Sequence, residues 1–234
     1  MSVDRDHLKR AAAKRAVEFV ESGMIVGLGT GSTADFVVEE LASRVTGGLA
    51  LVAIPTSEHT AGLARRLGIP LASFAEHRRI DLAIDGADEV ARATLDLIKG
   101  RGGALLREKI VVAASRRFIV VVDQEKLVDR LGEHMPVPVE VAQFGWQATA
   151  AALAKLGAEA ELRQAGGQPF VTDGGNFIVD CHFSPIDDPE RTECMIKMTV
   201  GVVESGLFIG RSSAVVVATE RGVEIMTGTG GRVP

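Results

Sequence analysis

The sequence has 234 residues, of which 46% are hydrophobic and 24% charged, and its formal net charge is −5. This composition is typical of a globular protein, and the lack of a block of about five or six like charges argues against a nucleic-acid groove or a membrane-binding patch. No apolar run reaches the roughly 18 residues that cross a bilayer, and the first residues lack the apolar core of a signal peptide, so we expect a cytoplasmic protein.

Cysteine and histidine are not spaced as metal ligands. Cys181 and Cys194 lie too far apart for a CxxC pair, and the five histidines do not fall at ligand spacing. We therefore expect no metal site. Both thiols are interpreted as reduced packing residues, because free cysteine is among the most often buried residue types.

The first 130 residues alternate helical patterns with short apolar runs. An N-terminal helix is predicted from apolar residues at helical spacing, namely Leu8, Ala12, Ala13, Val17 and Val20. Four runs are suited to strands buried on both faces: MIVGLG, ALVAIP, RIDLAID and RRFIVVVD. The segments between them have helical patterns: TADFVVEELASRV, SEHTAGLARRLG and GGALLREKIVVAAS. This alternation predicts an α/β fold, a parallel sheet with helices on both faces.

The pattern changes after Leu131. An extended segment, a helix and a strand are predicted in MPVPVE, FGWQATAAALAKLG and AEAELRQ, followed by a hairpin in PFVTDGGNFIVDCHF and a helix in PERTECMIKMTVGVVES. This order indicates a small α+β domain over residues 131–205. Residues 206–234 are predicted to return to the first sheet, so that residues 1–130 and 206–234 form the main domain. The tail GTGGRVP is expected to be mobile.

The first glycine-rich loop, Gly27–Thr33, follows a predicted strand and opens a helix. Its N–H groups and the helix dipole suit an anion, and its hydroxyls add donors. A dinucleotide fingerprint would need a third glycine where Ser32 stands, and no Gly-Lys-Ser/Thr of a Walker loop follows. A phosphate or sugar site is the favoured interpretation, and a tight turn with a Ser/Thr cap is the alternative.

The second loop, Asp85–Glu89, lies at the end of RIDLAID and contains Asp85 and Asp88, three residues apart around a Gly-Ala turn. Ligands of open parallel sheets bind beyond the carboxyl ends of the strands, so these two carboxylates can converge on one small ligand. Neither is accompanied by the His, Cys or acidic ladder of a metal site. The alternative is that the aspartates only form the turn.

The third loop runs from Lys99 through a glycine-rich turn into a helix that carries Glu108. A carboxylate that is partly desolvated on an apolar helix has a raised pKa, as a base that must return its proton requires. The alternative, an exposed helical glutamate, would be favoured for an isolated residue. Three glycine-rich loops at predicted strand ends favour the functional interpretation.

Together these blocks resemble the type A ribose-5-phosphate isomerase family. The resemblance extends through most of the chain, in VGLGTGSTADFVVEEL, AIDGADEV, KGRGGALLREKI, VVDQEKLVDRLGEHMPVPVEV and GGNFIVDCHF. It implies a Rossmann-like main domain with an inserted ferredoxin-like domain, and a homodimer or homotetramer. It also implies interconversion of ribose 5-phosphate and ribulose 5-phosphate without a cofactor or metal.

The resemblance further implies the site residues. Those expected to bind the sugar phosphate are Lys9, Thr30, Gly31, Ser32, Thr33, Asp85, Gly86, Ala87, Asp88, Lys99, Gly100, Arg101, Gly102 and Lys126. Glu108 matches the family's proton-transferring glutamate. We interpret Lys99 as the electrostatic stabiliser of an enediolate, and Asp85 and Asp88 as groups that open the furanose ring and orient its hydroxyls.

The chain departs from the family pattern at two places. The family often has glycine where this chain has Arg101, a residue that tolerates a positive φ poorly. The segment VARATLDLI, between the acidic loop and Lys99, is one residue longer than in some members of the family that the chain resembles.

Two other functions fit part of the pattern. A non-catalytic sugar-phosphate sensor would keep the glycine loops and dispense with the acid–base set, whereas Asp85, Asp88, Lys99 and Glu108 are all present and no helix-turn-helix precedes them. An amino-sugar phosphate deaminase or a phosphosugar lactonase of similar architecture would instead release ammonia or open a lactone.

Overall fold

The computed structural model describes residues 5–228, with the side chain of Arg5 left out. The helices are α1 (Arg5–Val17), α2 (Ser32–Thr46), α3 (Glu58–Arg66), α4 (Leu105–Ala113), α5 (Trp146–Ala154) and α6 (Pro189–Lys197), with a 3-10 helix at Gln124–Lys126. Among the described residues, no helix is long and apolar enough to cross a membrane.

Most of the strands are short. They are β1 (Ile25–Leu28), β2 (Val52–Pro55), β3 (Ile80–Asp85), β4 (Glu89–Ala91), β5 (Leu97–Ile98), β6 (Ser115–Asp123), β7 (Leu127–Val128), β8 (Val137–Val141), β9 (Glu159–Leu162), β10 (Gln164–Ala165), β11 (Gln168–Pro169), β12 (Phe177–His182), β13 (Val202–Ser205), β14 (Leu207–Phe208), β15 (Ala214–Thr219) and β16 (Gly222–Met226).

The chain divides into two compact units, which are described separately. Within the described residues, the first unit comprises 5–87, 107–126 and 211–228, and the second comprises 88–106 and 127–210.

The first unit contains a six-stranded sheet of order β16-β15-β6-β3-β1-β2. Its strands are parallel except for β16, which pairs antiparallel with β15. Numbered along the chain, the five parallel strands stand in the order 2-1-3-4-5. In this doubly wound order, the direction in which successive strands are added to the sheet reverses between β1 and β3, and such sheets bind ligands at that point. The predicted α/β class with a parallel main sheet is confirmed.

Both faces of this sheet are covered by helices. Val26 and Leu28 belong to a buried cluster with apolar residues of α1 and α2, whereas Gly27 faces the other side because successive strand residues alternate between faces. A Cβ at Gly27 would lie 2.4 Å from a methyl carbon of Val111 on α4. Gly27 therefore lets α4 pack closely against the sheet.

The second unit has two four-stranded sheets. One has the order β13-β8-β12-β9 with antiparallel pairs, and its succession β8-α5-β9-β12-α6-β13 is that of a ferredoxin-like motif. Its core includes Val139, Leu153, Val179 and Ile196, all fully buried. The other sheet has the order β14-β5-β4-β7, and β10 and β11 form a separate ribbon.

The second unit differs from the small domain predicted over residues 131–205, since it also contains residues 88–106, 127–130 and 206–210. The reason is strand pairing. β4 pairs with β5 and β7, and β5 also pairs with β14, so these strands form a sheet of their own and do not join the six-stranded sheet. The predicted main domain also includes residues 1–4 and 229–234. These lie outside the described residues, as does all but the first residue of the tail expected to be mobile.

Two local predictions in this unit need correction. The helix predicted through residue 205 ends at Lys197, because Gly201 takes a φ of 90° and the chain then enters β13. The predicted hairpin is reduced to a single antiparallel bridge between Val171 and Phe177, because its first arm pairs with β10 through β11, and its second arm, β12, pairs with β8 and β9.

The two free thiols lie in different surroundings. Cys181 on β12 is buried, and burial raises its pKa to about 12. Cys194 on α6 is exposed, so its interpretation as a packing residue is wrong.

Because the thiolate is the nucleophile, a thiol-specific chromogenic reagent at pH 8 is expected to modify one cysteine in the native protein and two after denaturation. Cys194→Ser should abolish the fast native reaction; fast reaction of two thiols in the native protein would contradict this assignment.

Candidate active site

The loop after β1 is joined to the end of β3 by the carboxylate of Asp85. Asp85 is only 2% exposed, and its Oδ1 accepts hydrogen bonds from the N–H groups of Thr30 (3.1 Å) and Gly86 (2.7 Å). The predicted glycine and acidic loops therefore meet at the β1/β3 reversal. One of the predicted catalytic aspartates also holds the two loops together.

Gly29 makes this arrangement sterically possible. A Cβ at Gly29 would lie 2.0 Å from the carboxyl carbon of Asp85. Gly29→Ala is therefore expected to lower the free energy of unfolding by about 1–3 kcal/mol, the cost of overpacking a buried site.

Gly62 on α3 provides a matched control. A Cβ there comes only within 3.4 Å of a flexible Arg66 nitrogen. Gly62→Ala should stabilise the protein by about 0.5–1 kcal/mol, because alanine is favoured over glycine inside a helix. Urea unfolding followed by circular dichroism measures both changes. Equal stability of Gly29→Ala and the parent protein would contradict the steric account.

The hydroxyl of Thr30 belongs to a chain of side-chain hydrogen bonds. The Thr60 hydroxyl donates to the Gly29 carbonyl (2.9 Å), and the Ser57 hydroxyl donates to Thr60 (3.0 Å). Thr30 donates to Ser57 (2.8 Å) and lies 2.7 Å from the Thr56 hydroxyl, which must then be the donor, since each hydroxyl has one proton. Both the N–H and the O–H of Thr30 thus donate within the protein, so Thr30 holds the loop in place.

The next residues of the loop form the N-terminus of α2. Gly31 is the N-cap residue with a φ of 113°, a left-handed conformation that favours glycine. The Nζ of Lys9 on α1 donates to the Ser32 hydroxyl (3.1 Å), and a Cβ at Gly86 would lie 3.7 Å from that of Thr33. A lysine, two hydroxyl side chains and a helix N-terminus therefore adjoin the acidic loop, a combination that suits a phosphate.

Glu108 lies in the first turn of α4 and is 2% exposed. Ala113 ends α4 two residues before β6 begins at Ser115, so the helix runs antiparallel to the strands it covers. Its first turn therefore points toward the edge where the parallel strands end. This is the edge that carries Asp85. The burial of Glu108 agrees with the prediction of a desolvated carboxylate.

Lys126 and Ala87 complete the predicted residues of the first unit. Lys126 ends the 3-10 helix that follows β6, and β6 is the neighbour of β3 in the sheet. The half-buried Lys126 therefore belongs to the same edge of the sheet as Asp85. Ala87, also half-buried, is the last residue of this unit before the chain enters the second.

In the second unit, Lys99 is held by close backbone packing. Lys99 is 2% exposed, and its Nζ lies 5.6 Å from the ring centroid of Phe208, within the range of a cation–π interaction. Its N–H donates to the Gly206 carbonyl (2.9 Å), and a Cβ at Gly206 would lie 2.4 Å from the Lys99 carbonyl oxygen. Gly206 and Phe208 thus position Lys99, and sequence patterns did not indicate either residue.

The turn after Lys99 is linked to the half-buried Asp88. The N–H of Arg101 donates to Asp88 Oδ2 (2.9 Å). Gly100 and Gly103 take φ values of 106° and 81°. Gly102 is exposed. The structure therefore brings together Asp88 and the predicted loop of Lys99 to Gly102 within one unit.

Among the described residues, no group of three or more His, Cys, Asp or Glu side chains is arranged to hold a metal ion.

Comparison with known proteins identifies the family. Residues 52–222 match the model of the family described as ribose 5-phosphate isomerase A (phosphoriboisomerase A). The chain is 62% identical over 225 residues to ribose-5-phosphate isomerase A of Gloeobacter violaceus, covering 96% of this chain and 98% of that relative. The chain belongs to the ribose 5-phosphate isomerase A family.

Solved structures of the ribose 5-phosphate isomerase A family have the same fold. The enzyme from Methanocaldococcus jannaschii superposes with a TM-score of 0.91 at 42% identity, covering 96% of this chain and all of that one. A D-ribose-5-phosphate isomerase in complex with phospho-erythronic acid superposes with a TM-score of 0.93, also at 42% identity and with the same coverage.

The structure shows where the two departures from the pattern of ribose 5-phosphate isomerase A lie. Among the described residues, Leu95 is the only non-glycine residue with a positive φ, so Arg101 needs no left-handed conformation and the glycines around it supply the turn. The segment that is one residue longer contains the turn between β4 and β5.

Proposed function

We propose that this chain interconverts D-ribose 5-phosphate and D-ribulose 5-phosphate, a step of the non-oxidative pentose phosphate pathway. The observation that carries the proposal is membership of the ribose 5-phosphate isomerase A family over nearly the full chain. The candidate side chains support it, because each residue that the reaction needs is present in the sequence.

The reaction moves one proton from carbon 2 of the aldose to carbon 1 and the hydroxyl proton from oxygen 2 to oxygen 1, through a cis-enediolate. Glu108 is the proposed base, which removes the proton from one carbon and returns it to the other. Lys99 is the proposed cation that stabilises the negative charge developing on the enediolate oxygens. Asp85 and Asp88 are proposed to open the furanose ring and orient its hydroxyls.

The phosphate is proposed to bind at the N-terminus of α2. Ser32 and Thr33 offer hydroxyls and N–H groups there, Lys9 lies within hydrogen-bond distance of Ser32, and Lys126 follows β6, which is two strands from β1 in the same sheet. Binding energy from the phosphate, which takes no part in the chemistry, can offset the cost of orienting the reacting carbons.

The bound ligand of a solved relative is consistent with this chemistry. That protein is in complex with phospho-erythronic acid, a phosphorylated sugar acid. Its planar carboxylate resembles the planar, negatively charged end of an enediolate. We infer that the present chain recognises the same kind of anion.

The direct test is ketopentose formation by the purified protein, with ribose 5-phosphate and free ribose as parallel substrates. Free ribose should be a very poor substrate, because it lacks the group for which the α2 terminus and Lys9 are proposed. Comparable kcat/KM values for the two sugars would contradict the phosphate site.

Isomerase activity should persist after prolonged dialysis against a chelator. A loss of activity that a divalent ion restores would contradict the acid–base scheme.

Binding and product measurements with other substrates distinguish the alternatives. A sugar-phosphate sensor would bind ribose 5-phosphate without turnover, a deaminase would release ammonia from an amino-sugar phosphate, and a lactonase would open a phosphosugar lactone.

We further propose that the protein is a cytoplasmic homodimer or homotetramer. Assembly is supported by large apolar side chains exposed on the second unit, namely Phe144, Met198 and Val200, which are 98%, 79% and 91% exposed. Light scattering after gel filtration measures the oligomeric state.

A further inference from the structure

Arg163, which lies between β9 and β10, has its guanidinium bound on two sides. Its Nε donates to Asp180 Oδ2 at 2.8 Å and its Nη2 to Asp180 Oδ1, which is a bidentate pair. Its Nη1 donates to the carbonyl oxygens of Gly100 (2.8 Å) and Arg101 (3.0 Å). The two side chains are only 15% and 18% exposed, so these charge-assisted bonds are partly shielded from water.

The carbonyls that Arg163 binds belong to the turn directly after Lys99. Gly100 has a φ of 106°, and glycine restricts its own backbone angles little. Within the turn, the Gly103 N–H donates to the Gly100 carbonyl (3.0 Å). The turn is therefore held by Arg163 from one side and, through the Arg101 N–H, by Asp88 from the other.

We propose that Arg163, oriented by Asp180, is a positioning residue for catalysis, which fixes the turn after Lys99 and thereby the ammonium of Lys99 and the carboxylate of Asp88. This inference rests on the proposed isomerase function. A planar guanidinium reaches both carboxylate oxygens and both carbonyls at once, whereas a lysine ammonium is a single compact charge.

Chemical rescue provides a sharp test. The Arg163 side chain borders a cavity of about 250 Å³, whose lining also includes Asp88, Arg101 and Asp180. Arg163→Ala would enlarge this space and leave Asp180 and the two carbonyls as acceptors. We expect kcat to fall about ten- to hundredfold, the scale of losing charge-assisted hydrogen bonds, with KM changing much less. Guanidinium at millimolar concentration, far below the molar range that unfolds proteins, should restore part of kcat, whereas sodium at equal ionic strength should not.

Arg130 provides the matched control. It pairs with Asp187 at 2.7 Å in the same unit, but its side chain is 55% exposed and that of Asp187 is 86% exposed. Arg130→Ala should keep the parental kcat and show no response to guanidinium. Arg163→Lys should remain impaired, because an ammonium cannot reproduce the fork. Arg163→Lys keeps the positive charge beside Asp180, so its kcat tests the positioning role if Arg163→Ala does not fold.

The outcomes separate the two proposals. Parental kcat in folded Arg163→Ala or Arg163→Lys would overturn the positioning role and leave the isomerase function standing. So would a loss confined to KM, or a lowered kcat in folded Arg163→Ala that guanidinium does not restore. A folded parent protein without isomerase activity would overturn both proposals. A reduced kcat that guanidinium alone restores would establish the positioning role.

Discussion

Replacing Glu108 by Gln is expected to lower kcat by about a hundred- to ten-thousandfold, the usual contribution of a positioned general base, while substrate affinity stays similar. Glutamine keeps the shape and volume of the side chain but cannot accept a proton from carbon. Because Glu108 is 2% exposed in the first turn of α4, the substitution removes a buried carboxylate without creating a cavity. Steady-state kinetics with ribose 5-phosphate measure the change, and isothermal calorimetry measures binding.

Glu18→Gln is a suitable control, because Glu18 is exposed and pairs with Arg15 at the surface. It should leave kcat unchanged. In heavy water, the parent protein should place solvent deuterium at carbon 1 of the ketose, unless the base shields its proton from exchange. Near-normal kcat in a folded Glu108→Gln variant would mean that the base lies elsewhere, with Asp85 or Asp88 as the leading candidates.

Replacing Lys99 by Ala is expected to lower kcat by about a hundredfold or more, the scale of losing one electrostatic donor to a developing oxyanion. The Gly206 carbonyl and the Phe208 ring hold this lysine in place in the structure, so its charge is preorganised. Little energy should then be needed to orient it during the reaction. Initial rates over a range of ribose 5-phosphate concentrations separate kcat from KM.

The control for Lys99 is Lys155→Ala, since Lys155 is an exposed lysine at the end of α5. Its removal should change neither kinetic constant. If Lys99→Ala raises KM and leaves kcat intact, Lys99 only binds the substrate. In that case the enediolate must be stabilised by another group.

Much of the fold could be predicted from the sequence because the main strands are buried on both faces. The stretches LAI and FIVVV are uninterrupted and apolar, and they lie in β3 and β6 at the centre of the parallel sheet. Loops that follow such strands must gather at one edge. That is why Asp85 and Thr30, distant in the sequence, could be expected to lie together, as their hydrogen bond shows.

What could not be predicted depends on contacts between distant segments. Strands β4, β5, β7 and β14 have only two or three residues each, too short for an alternating pattern, and are defined by their pairing alone. Gly206 has no special sequence context, and its importance lies in the approach of the Lys99 carbonyl. The hydroxyl chain of Thr30 joins two loops, so no local pattern could indicate it.

The division of the chain also affects how relatives can be recombined. The backbone passes from one unit to the other at four places, after Ala87, Leu106, Lys126 and Gly210. A stretch exchanged as residues 131–205 would carry the sheet β13-β8-β12-β9 but separate it from β4, β5, β7 and β14 of the same unit. Chimaeras of homologous chains joined at the four crossing points should therefore fold more readily than those joined at the ends of that stretch.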